Sequence, residues 1–333
     1  MRWQRTGPPR WLAGRCAAFV LTLFAVITLN FALPRMMPGD PITALQDPES
    51  SLYVSDQASR AALSHYYGLD QSLIVQYGRY LRGLATGDLG WSIRLNAPVS
   101  LLIQHRILWT VLLIFPAMLA ASLVSMVAGL HAGWHRGSPL DRGLIVLFAG
   151  IRTLPAFFLG VLALLLFSVR LGWFPLAGAQ TPFAHYRSPW GALADLLHHW
   201  ALPALVLTIE MLGGQFLLMR NSVISVLGDD FMLVAKAKGL SDRSLKYRHA
   251  LRNALLPFVT VLSIQLGFAV TGSIFVEAVF AYPGMGTLAF QAVSARDYPV
   301  LQGVFLVFTV SVLTANLIAD LAYARLDPRV RTR

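Results

Sequence analysis

Four ionisable side chains lie inside long apolar stretches of the sequence: Arg152, Glu210, Glu277 and Asp320. A charge at mid-helix costs roughly 2.5–3.5 kcal/mol on insertion scales, so such groups usually face a bundle interior or a water-filled path. Their chemistry would be recognition of a charged solute, or pairing. Arg152 and Glu210 admit both readings: they line a path and meet cargo, or they pair with each other, with Arg152 alternatively snorkelling to the membrane edge. Asp320 lies about a turn from Arg325, close enough for an ion pair at that edge. Catalytic chemistry has little to build on. The histidines are scattered, and His198 and His199 are adjacent. Neighbours at i, i+1 point in different directions on a helix, which favours an interfacial role over a metal site. Cys16 is the only cysteine, so an internal disulfide is excluded, and no Cys/His cluster has zinc spacing. There is no G-x-x-x-x-G-K-[ST] phosphate loop, so ATP hydrolysis would have to come from another chain. The expectation is a non-enzyme that binds no metal or cofactor of its own.

The densest charge lies elsewhere, in LVAKAKGLSDRSLKYRHALRNALLP, Leu233–Pro257. It holds Lys236, Lys238, Arg243, Lys246, Arg248 and Arg252 against the single acid Asp242. One reading is an amphipathic helix lying on anionic lipid. The stretch lacks the Trp and Phe usual on a lipid-buried face, and its Ala-Lys-Ala-Lys-Gly-Leu core would let another protein approach closely. Upstream, Val223, Val226, Leu227 and Val234 fall near one face of a helix reaching Lys238. Gly239 should stop that helix in the left-handed conformation. Ser241 is then the N-cap of a second, short basic helix beginning at Asp242, and Pro257 opens the apolar run that follows.

These residues must be positioned by helices in a membrane. Hydrophobic residues make up 56% of the chain and charged ones 13%, with mean hydropathy +0.59; soluble proteins carry roughly 25% charged residues. Six runs are long enough to cross a hydrocarbon core: Trp11–Leu33, Ile107–Leu130, Gly143–Val169, Ala201–Met219, Phe258–Ala281 and Leu301–Ala324. The first is too long for a signal-peptide core and LPRMMPGDP follows it, so it reads as a retained span. The net charge of +11 is a matter of topology and does not indicate nucleic-acid binding. Arg2, Arg5, Arg10, Arg15, Arg136, Arg142, Arg220, the basic insert, Arg325, Arg329, Arg331 and Arg333 fall on one side. On the other side Arg170 and Arg187 mark the connection between spans three and four, and Arg296 that between spans five and six. Positive residues stay cytoplasmic, which puts both termini inside. Between the first two runs, residues 34–106 contain PGDP, YYGLDQS and GDLGWS, which is turn chemistry, around two stretches of helical spacing. A small folded external cap is expected there. No internal repeat is visible.

AKAKGLS at Ala235–Ser241 and HALRNALLP at His249–Pro257 resemble the cytoplasmic signature of permease subunits of ATP-binding-cassette importers, closest to the B-type permeases of the dipeptide, oligopeptide and nickel branch. Further stretches resemble that branch in the right order: RMMPGDP, GLDQSLIVQYGRYL, GDLGWS, APV, LGWFPLAG, VEAVFAYPGMGTL, RDYPVLQG and NLIADLAYARLDPRVR. The resemblance covers nearly the whole chain. It implies an all-α polytopic fold of the type I importer class, with six transmembrane helices and the small external cap. The division would be residues 1–33 for the N-terminus and first span, 34–106 for the cap, and 107–333 for the permease core with its coupling loop 220–257. It also implies a location in the bacterial inner membrane, a second similar permease, two cytoplasmic ATPase domains that bind ATP and Mg, and an external substrate-binding protein.

In such importers a short coupling helix docks in a groove of the ATPase. By resemblance Ala235, Gly239 and Ser241 are contact or hinge positions, Lys236, Lys238 and Arg243 meet the ATPase or lipid phosphates, and Leu240 and His249 belong to the same signature. Leu233 stands where the wider superfamily has a glutamate, so a glutamate-based contact is not expected. Glu277 and Asp320 lie in family-like stretches and read as scaffold or gate elements, with Glu277 carried beside Arg152 and Glu210 as a candidate for the translocation path. Pro283, Gly284 and Gly286 are ordinary turn chemistry, and by resemblance an external gate. The branch carries short peptides, nickel or metal chelates, glutathione and opine-like compounds, with di- or oligopeptides the leading expectation. A secondary carrier would favour inverted repeats and broken mid-membrane helices, and the sequence suggests neither.

Overall fold

The computed structural model describes residues 10–36, 57–272 and 274–326. In chain order the helices are α1 (Arg10–Met36), α2 (Gln57–Tyr66), α3 (Leu73–Thr86), α4 (Val99–Trp134), α5 (Pro139–Arg152), α6 (Ala156–Ala163), α7 (Pro189–Leu227), α8 (Asp230–Ala237), α9 (Asp242–Ser244), α10 (Leu251–Gly272), α11 (Ile274–Val279), α12 (Met285–Ser294) and α13 (Tyr298–Leu326). π-Helical turns at Leu164–Arg170 and Leu245–Ala250 extend α6 and join α9 to α10. Among the described residues, strand pairing is limited to one bridge, Trp91 with Pro98.

Four helical stretches are long and apolar enough to span a membrane: Ala17–Met36, Val99–Trp134, Pro189–Leu227 and Tyr298–Ile318. The third expected span differs from the sequence reading. It is not one helix over Gly143–Val169 but α5 and α6, bent by 94°. The cause is Pro155, which has no N–H to donate and pushes the residue before it out of the helical region. The broken helix that the sequence did not suggest is therefore present. The fifth expected run, Phe258–Ala281, is divided between α10 and α11, with Ser273 between them outside the described residues.

The bundle is organised on α4 and α7. They run in the same direction, since Trp200 Nε1 donates to Leu112 O at 3.0 Å while Gly133 packs on Val223. Gly129 and Gly133 make the approach possible. A Cβ at Gly129 would sit 2.8 Å from Met219 Cβ, and one at Gly133 would sit 2.9 Å from Arg220 O. With little hydrophobic drive between helices in lipid, close backbone packing and interhelical hydrogen bonds hold such a pair. Ser122 Oγ donates to Gln215 Oε1 at 3.1 Å, and Gln215 Nε2 donates to Gln265 Oε1 at 3.0 Å, which links α4, α7 and α10 through a buried glutamine.

Two buried carboxylates anchor opposite ends of this bundle. Asp141, in the first turn of α5, takes both Arg220 Nε (2.6 Å) and Nη2 (2.8 Å), and also the Gly137 N–H (2.8 Å). This bidentate pair fastens the α4–α5 connection to α7 a few residues before α8. Removing one partner strands the other charge, so Asp141→Asn should lower unfolding stability in detergent by about 3 kcal/mol. An unchanged midpoint would mean the pair contributes nothing net. At the other end Asp297, 2% exposed, accepts from Ser92 Oγ (2.6 Å), Arg94 N (3.1 Å) and Val300 N (3.4 Å). It caps α13 and moors the tight loop of residues 90–99, where Ser92 N donates to Ala97 O and Val99 N to Gly90 O. The GDLGWS, APV and RDYPVLQG stretches thus meet in space, with Gly303 packed on Val99 and Ile103. With α2 and α3 they form the cap at this end of the bundle.

Candidate functional site

At the end opposite the cap, α8 lies across the bundle. Its inner side is Met232 and Ala235, 6% and 7% exposed, seated among Leu130 of α4, Met219, Val223 and Val226 of α7, and Leu245, Ala250, Ala254 and Phe258. Its outer side presents Leu233, Val234 and part of Phe231, exposed at 65%, 54% and 39%. Lys236, Lys238, Gly239, Leu240, Ser241 and Arg243 are all exposed and follow one another around its C-terminal end. α8 is thus a short helix gripped by three others, apolar on its free side and cationic at its C-terminal tip.

The local chain explains this shape. The single helix expected up to Lys238 is broken instead at Gly228 and Asp229, with Asp229 extended (ψ 144°) at the N-cap position of α8. Consequently Val234 does not share a face with Val223 and Val226, which are buried. Gly239 has φ +76°, the left-handed C′ conformation expected of it, and its N–H donates to Lys236 O at 3.0 Å. Ser241 Oγ accepts from Ser244 N at 3.4 Å as the N-cap of α9. Leu245–Ala250 then feed directly into α10, so Pro257 lies inside that helix and does not open it. His249 is half-buried, and its carbonyl accepts from Asn253 Nδ2 at 2.8 Å. Lys246 departs from the cationic surface. It is 7% exposed, near the Tyr247 ring (5.6 Å), and burial pushes its ammonium below the ordinary lysine value.

Near the cap end, Pro283–Gly286 form the turn between α11 and α12, and Glu277 is the residue that holds it. Glu277 is fully buried in α11. Its Oε2 accepts from Gly286 N (2.7 Å) and Thr287 N (3.2 Å), the second and third positions of α12, and its Oε1 accepts from Thr110 Oγ1 (2.8 Å). Thr110 Oγ1 in turn accepts from Met285 N at 2.7 Å. One carboxylate and one hydroxyl therefore satisfy the first three N–H groups of α12, with the negative charge at the favourable end of the helix dipole. Gly284 and Gly286 are glycines because this cap occupies their Cβ space: a Cβ at Gly284 would meet the Glu277 carboxylate, and one at Gly286 would lie 2.5 Å from Ile274 Cα. This makes Glu277 part of the scaffold of the turn.

Arg152 and Glu210 are both exposed. The stem of Arg152 packs on α7 at Gly213, one turn beyond Glu210. They are not paired: the ion pairs among described residues join Asp141 to Arg220 and Asp195 to His199. The side chains of Asp320, Arg325 and Cys16 lie outside the described part. His198 ties down the loop before α7, its Nε2 2.7 Å from Trp173 O, while His199 Nδ1 lies 2.9 Å from Asp195 O, one turn back in the same helix. Asp195 also accepts from Thr181 and Tyr186. Sequence reading missed Asp141, Asp195 and Asp297. A signal existed for each: they are among the few acids of a basic, apolar chain, next to a turn or a helix start.

The chain is similar to known proteins over most of its length. The family model described as "Binding-protein-dependent transport system inner membrane component" matches residues 121–332, from inside α4 onwards. A Brucella suis biovar 1 protein, provisionally named a peptide permease, is 42% identical over 311 residues, covering 93% of this chain and 95% of its own. The oligopeptide transport system permease protein AppB of Bacillus subtilis is 35% identical over 92% of this chain and 95% of its own. The glutathione transport system permease protein GsiC of Salmonella paratyphi A is 36% identical over 95% and 97%.

Proposed function

This chain belongs to the family of binding-protein-dependent transport system inner membrane components, a multi-pass permease of an ATP-binding-cassette importer, and from that premise we propose its cargo, its partners and the roles of its two ends. The cargo is a di- or oligopeptide, following the names of the Brucella and Bacillus relatives, with glutathione the second reading from the Salmonella one. The observation that carries the mechanism is α8, clamped on its inner side through Met232 and Ala235 and free on its outer side.

In this reading α8 is the coupling helix. Leu233, Val234 and Leu240 enter a groove on a cytoplasmic ATPase, and Lys236, Lys238, Ser241 and Arg243 meet its rim. Ala235 holds α8 to the bundle, and Gly239 sets the angle at which the chain, with His249, returns into α10. A rigid short helix gripped by α4, α7 and α10 passes a push from the ATPase to those helices as a rigid-body shift. The ATPase pair, with its ATP and Mg, is a separate component, as are a second permease of the same kind and an external binding protein. Residues 34–106 form the external cap, 107–333 the core and 220–257 the coupling loop, with both termini cytoplasmic. The Pro283–Gly286 turn is the outer gate, and Arg152 and Glu210 are the charges offered to cargo.

The direct test is uptake into proteoliposomes holding the whole assembly with its binding protein. Labelled dipeptide should enter with ATP inside, and unlabelled dipeptide should compete at least tenfold better than glutathione or a nickel chelate. Glutathione as the better competitor would exchange the two cargo readings. Uptake that needs an ion gradient and ignores ATP would sink the assembly altogether.

A further inference from the structure

The connection that leads from the end of the α5–α6 traverse into α7 turns aromatic side chains outward. Phe183 is 99% exposed, Trp190 78% and Trp173 58%. Single exposed apolar residues are ordinary on any protein surface, but these three share one short segment. That segment holds no acid from Leu171 to Ala194, and its one cation there, Arg187, is exposed as well.

The segment is tied down on both sides of Phe183. Asp195, in the second turn of α7, accepts from Thr181 N (2.8 Å), Thr181 Oγ1 (2.5 Å) and Tyr186 OH (2.6 Å). Between those two anchor residues Ala184 N donates to Thr181 O at 3.3 Å. Phe183 is thereby held at φ +57°, the left-handed region that bulky side chains avoid. The described fold gives that strain no return in packing, because the ring stands almost wholly clear of it. Further back, Gly178 N donates to Phe280 O at 2.9 Å, and Ala179 is buried in the cluster that contains Phe280 and Tyr282. The outward aromatic residues are therefore carried on a fixed frame.

The level of that frame in the membrane follows from α4 and α7, which run in the same direction with Trp200 donating to the Leu112 carbonyl. Ile107, where the apolar run of α4 begins after Gln104, His105 and Arg106, lies five residues before Leu112, and Asp195 lies five before Trp200. Asp195 thus stands near the edge of the hydrocarbon layer, with Thr181 and Tyr186 fastened beside it and Phe183 between them. Trp190 is another five residues towards the cap, about 7.5 Å along the helix. The headgroup layer there is roughly 5–8 Å deep. It is the layer in which aromatic rings concentrate at a membrane boundary and in which basic side chains meet lipid phosphates. We propose that this connection is an interfacial anchor: Phe183, Trp190 and Trp173 enter the headgroup layer of the leaflet on the cap side, with Arg187 at the lipid phosphates. The anchor stands apart from the readings of cargo and of α8, and requires only a bilayer.

Cys16 is the only cysteine, so Cys16→Ser gives a background in which Phe183→Cys, Trp190→Cys and, as a reference, the exposed Asp70→Cys each carry one nitroxide label. The full-length chain would be placed in liposomes of phosphatidylethanolamine and phosphatidylglycerol, alone and with cysteine-free partner subunits. Power saturation then compares collisions with oxygen, which concentrates in lipid, and with a neutral nickel chelate, which stays in water. The oxygen-to-chelate ratio at 183 and 190 should exceed that at 70 by roughly threefold or more in both preparations. Elution profile and helical signal check that each variant is folded. A label at 183 that reads like the one at 70 sinks the proposal whatever 190 shows, and means solvent surrounds the ring. A lipid signal present in the lone chain and lost in the assembly gives this surface to the second permease instead. One lost only when the binding protein is added makes it a docking surface for that protein, and again not an anchor.

Discussion

Gly239→Pro is expected to abolish the stimulation of ATP hydrolysis by cargo-loaded binding protein, by at least tenfold, while the assembly still purifies intact. The native φ of +76° is far from the value of about −65° that proline enforces, and the lost N–H donates to Lys236 O. The chain between α8 and α9 must therefore leave its path, and the exposed tip of Lys236, Lys238 and Arg243 goes with it. The packing of Met232 and Ala235 lies one to two turns earlier and survives, so the lesion is in transmission, not folding. Gly239→Ala makes the same point gently: a left-handed alanine costs roughly 1–2 kcal/mol, enough to weaken stimulation without removing it. Gly239→Asn, which tolerates that conformation, should remain close to wild type. Basal ATPase activity measured with and without loaded binding protein separates the cases. Full stimulation in Gly239→Pro would reduce α8 to a helix resting on lipid.

The second large effect is on stability. Glu277→Ala removes the acceptor for the Gly286 and Thr287 N–H groups and for the Thr110 hydroxyl. Each stranded buried donor costs about 1–3 kcal/mol, so a loss of about 4 kcal/mol is expected. The unfolding midpoint in detergent should fall by about 10 °C. Glu277→Gln keeps the shape and one accepting oxygen, and should lose about half as much. A path residue would behave in the opposite way, with Glu277→Ala normally stable and transport abolished. Such a result would return Glu277 to the cargo route.

Much of this was legible in the sequence, and its limits follow from what a local pattern can carry. Apolar length announced α1, α4, α7 and α13, because twenty greasy residues have few alternatives. Helical spacing announced α2 and α3. Gly239 announced its own conformation, and Ser241 its cap. Pro155 also stood in plain view, but apolar length hid it: a run that reads as continuous grease hides a 94° bend. The break at Gly228 was missed for a similar reason, since the valine spacing continues past it. The pairing of Asp141 with Arg220 and of Asp297 with Ser92 joins residues 79 and 205 positions apart, which no periodicity encodes. Glu277 shows the deeper ambiguity. An acid in an apolar run announces that something must compensate it, and only the fold reveals backbone N–H groups in that role.

The shared direction of α4 and α7 settles a question of parity. Two helices that run the same way must be joined by a segment that returns across the whole bundle. The segment does so: Asp141 at its start is pinned to Arg220 near the far end of α7, and Trp173 just after it reaches His198 near the beginning of α7. Bent or not, α5 and α6 together make one full traverse and not a loop that dips in and leaves by the same face. Arg35 at the end of α1 lies 5.9 Å from the ring of Tyr298 at the start of α13, so those two helices run in opposite directions. The number of traverses is therefore even. The start of α1 and the end of α13 therefore lie at the end of the bundle where α8 packs, away from Arg35 and Tyr298.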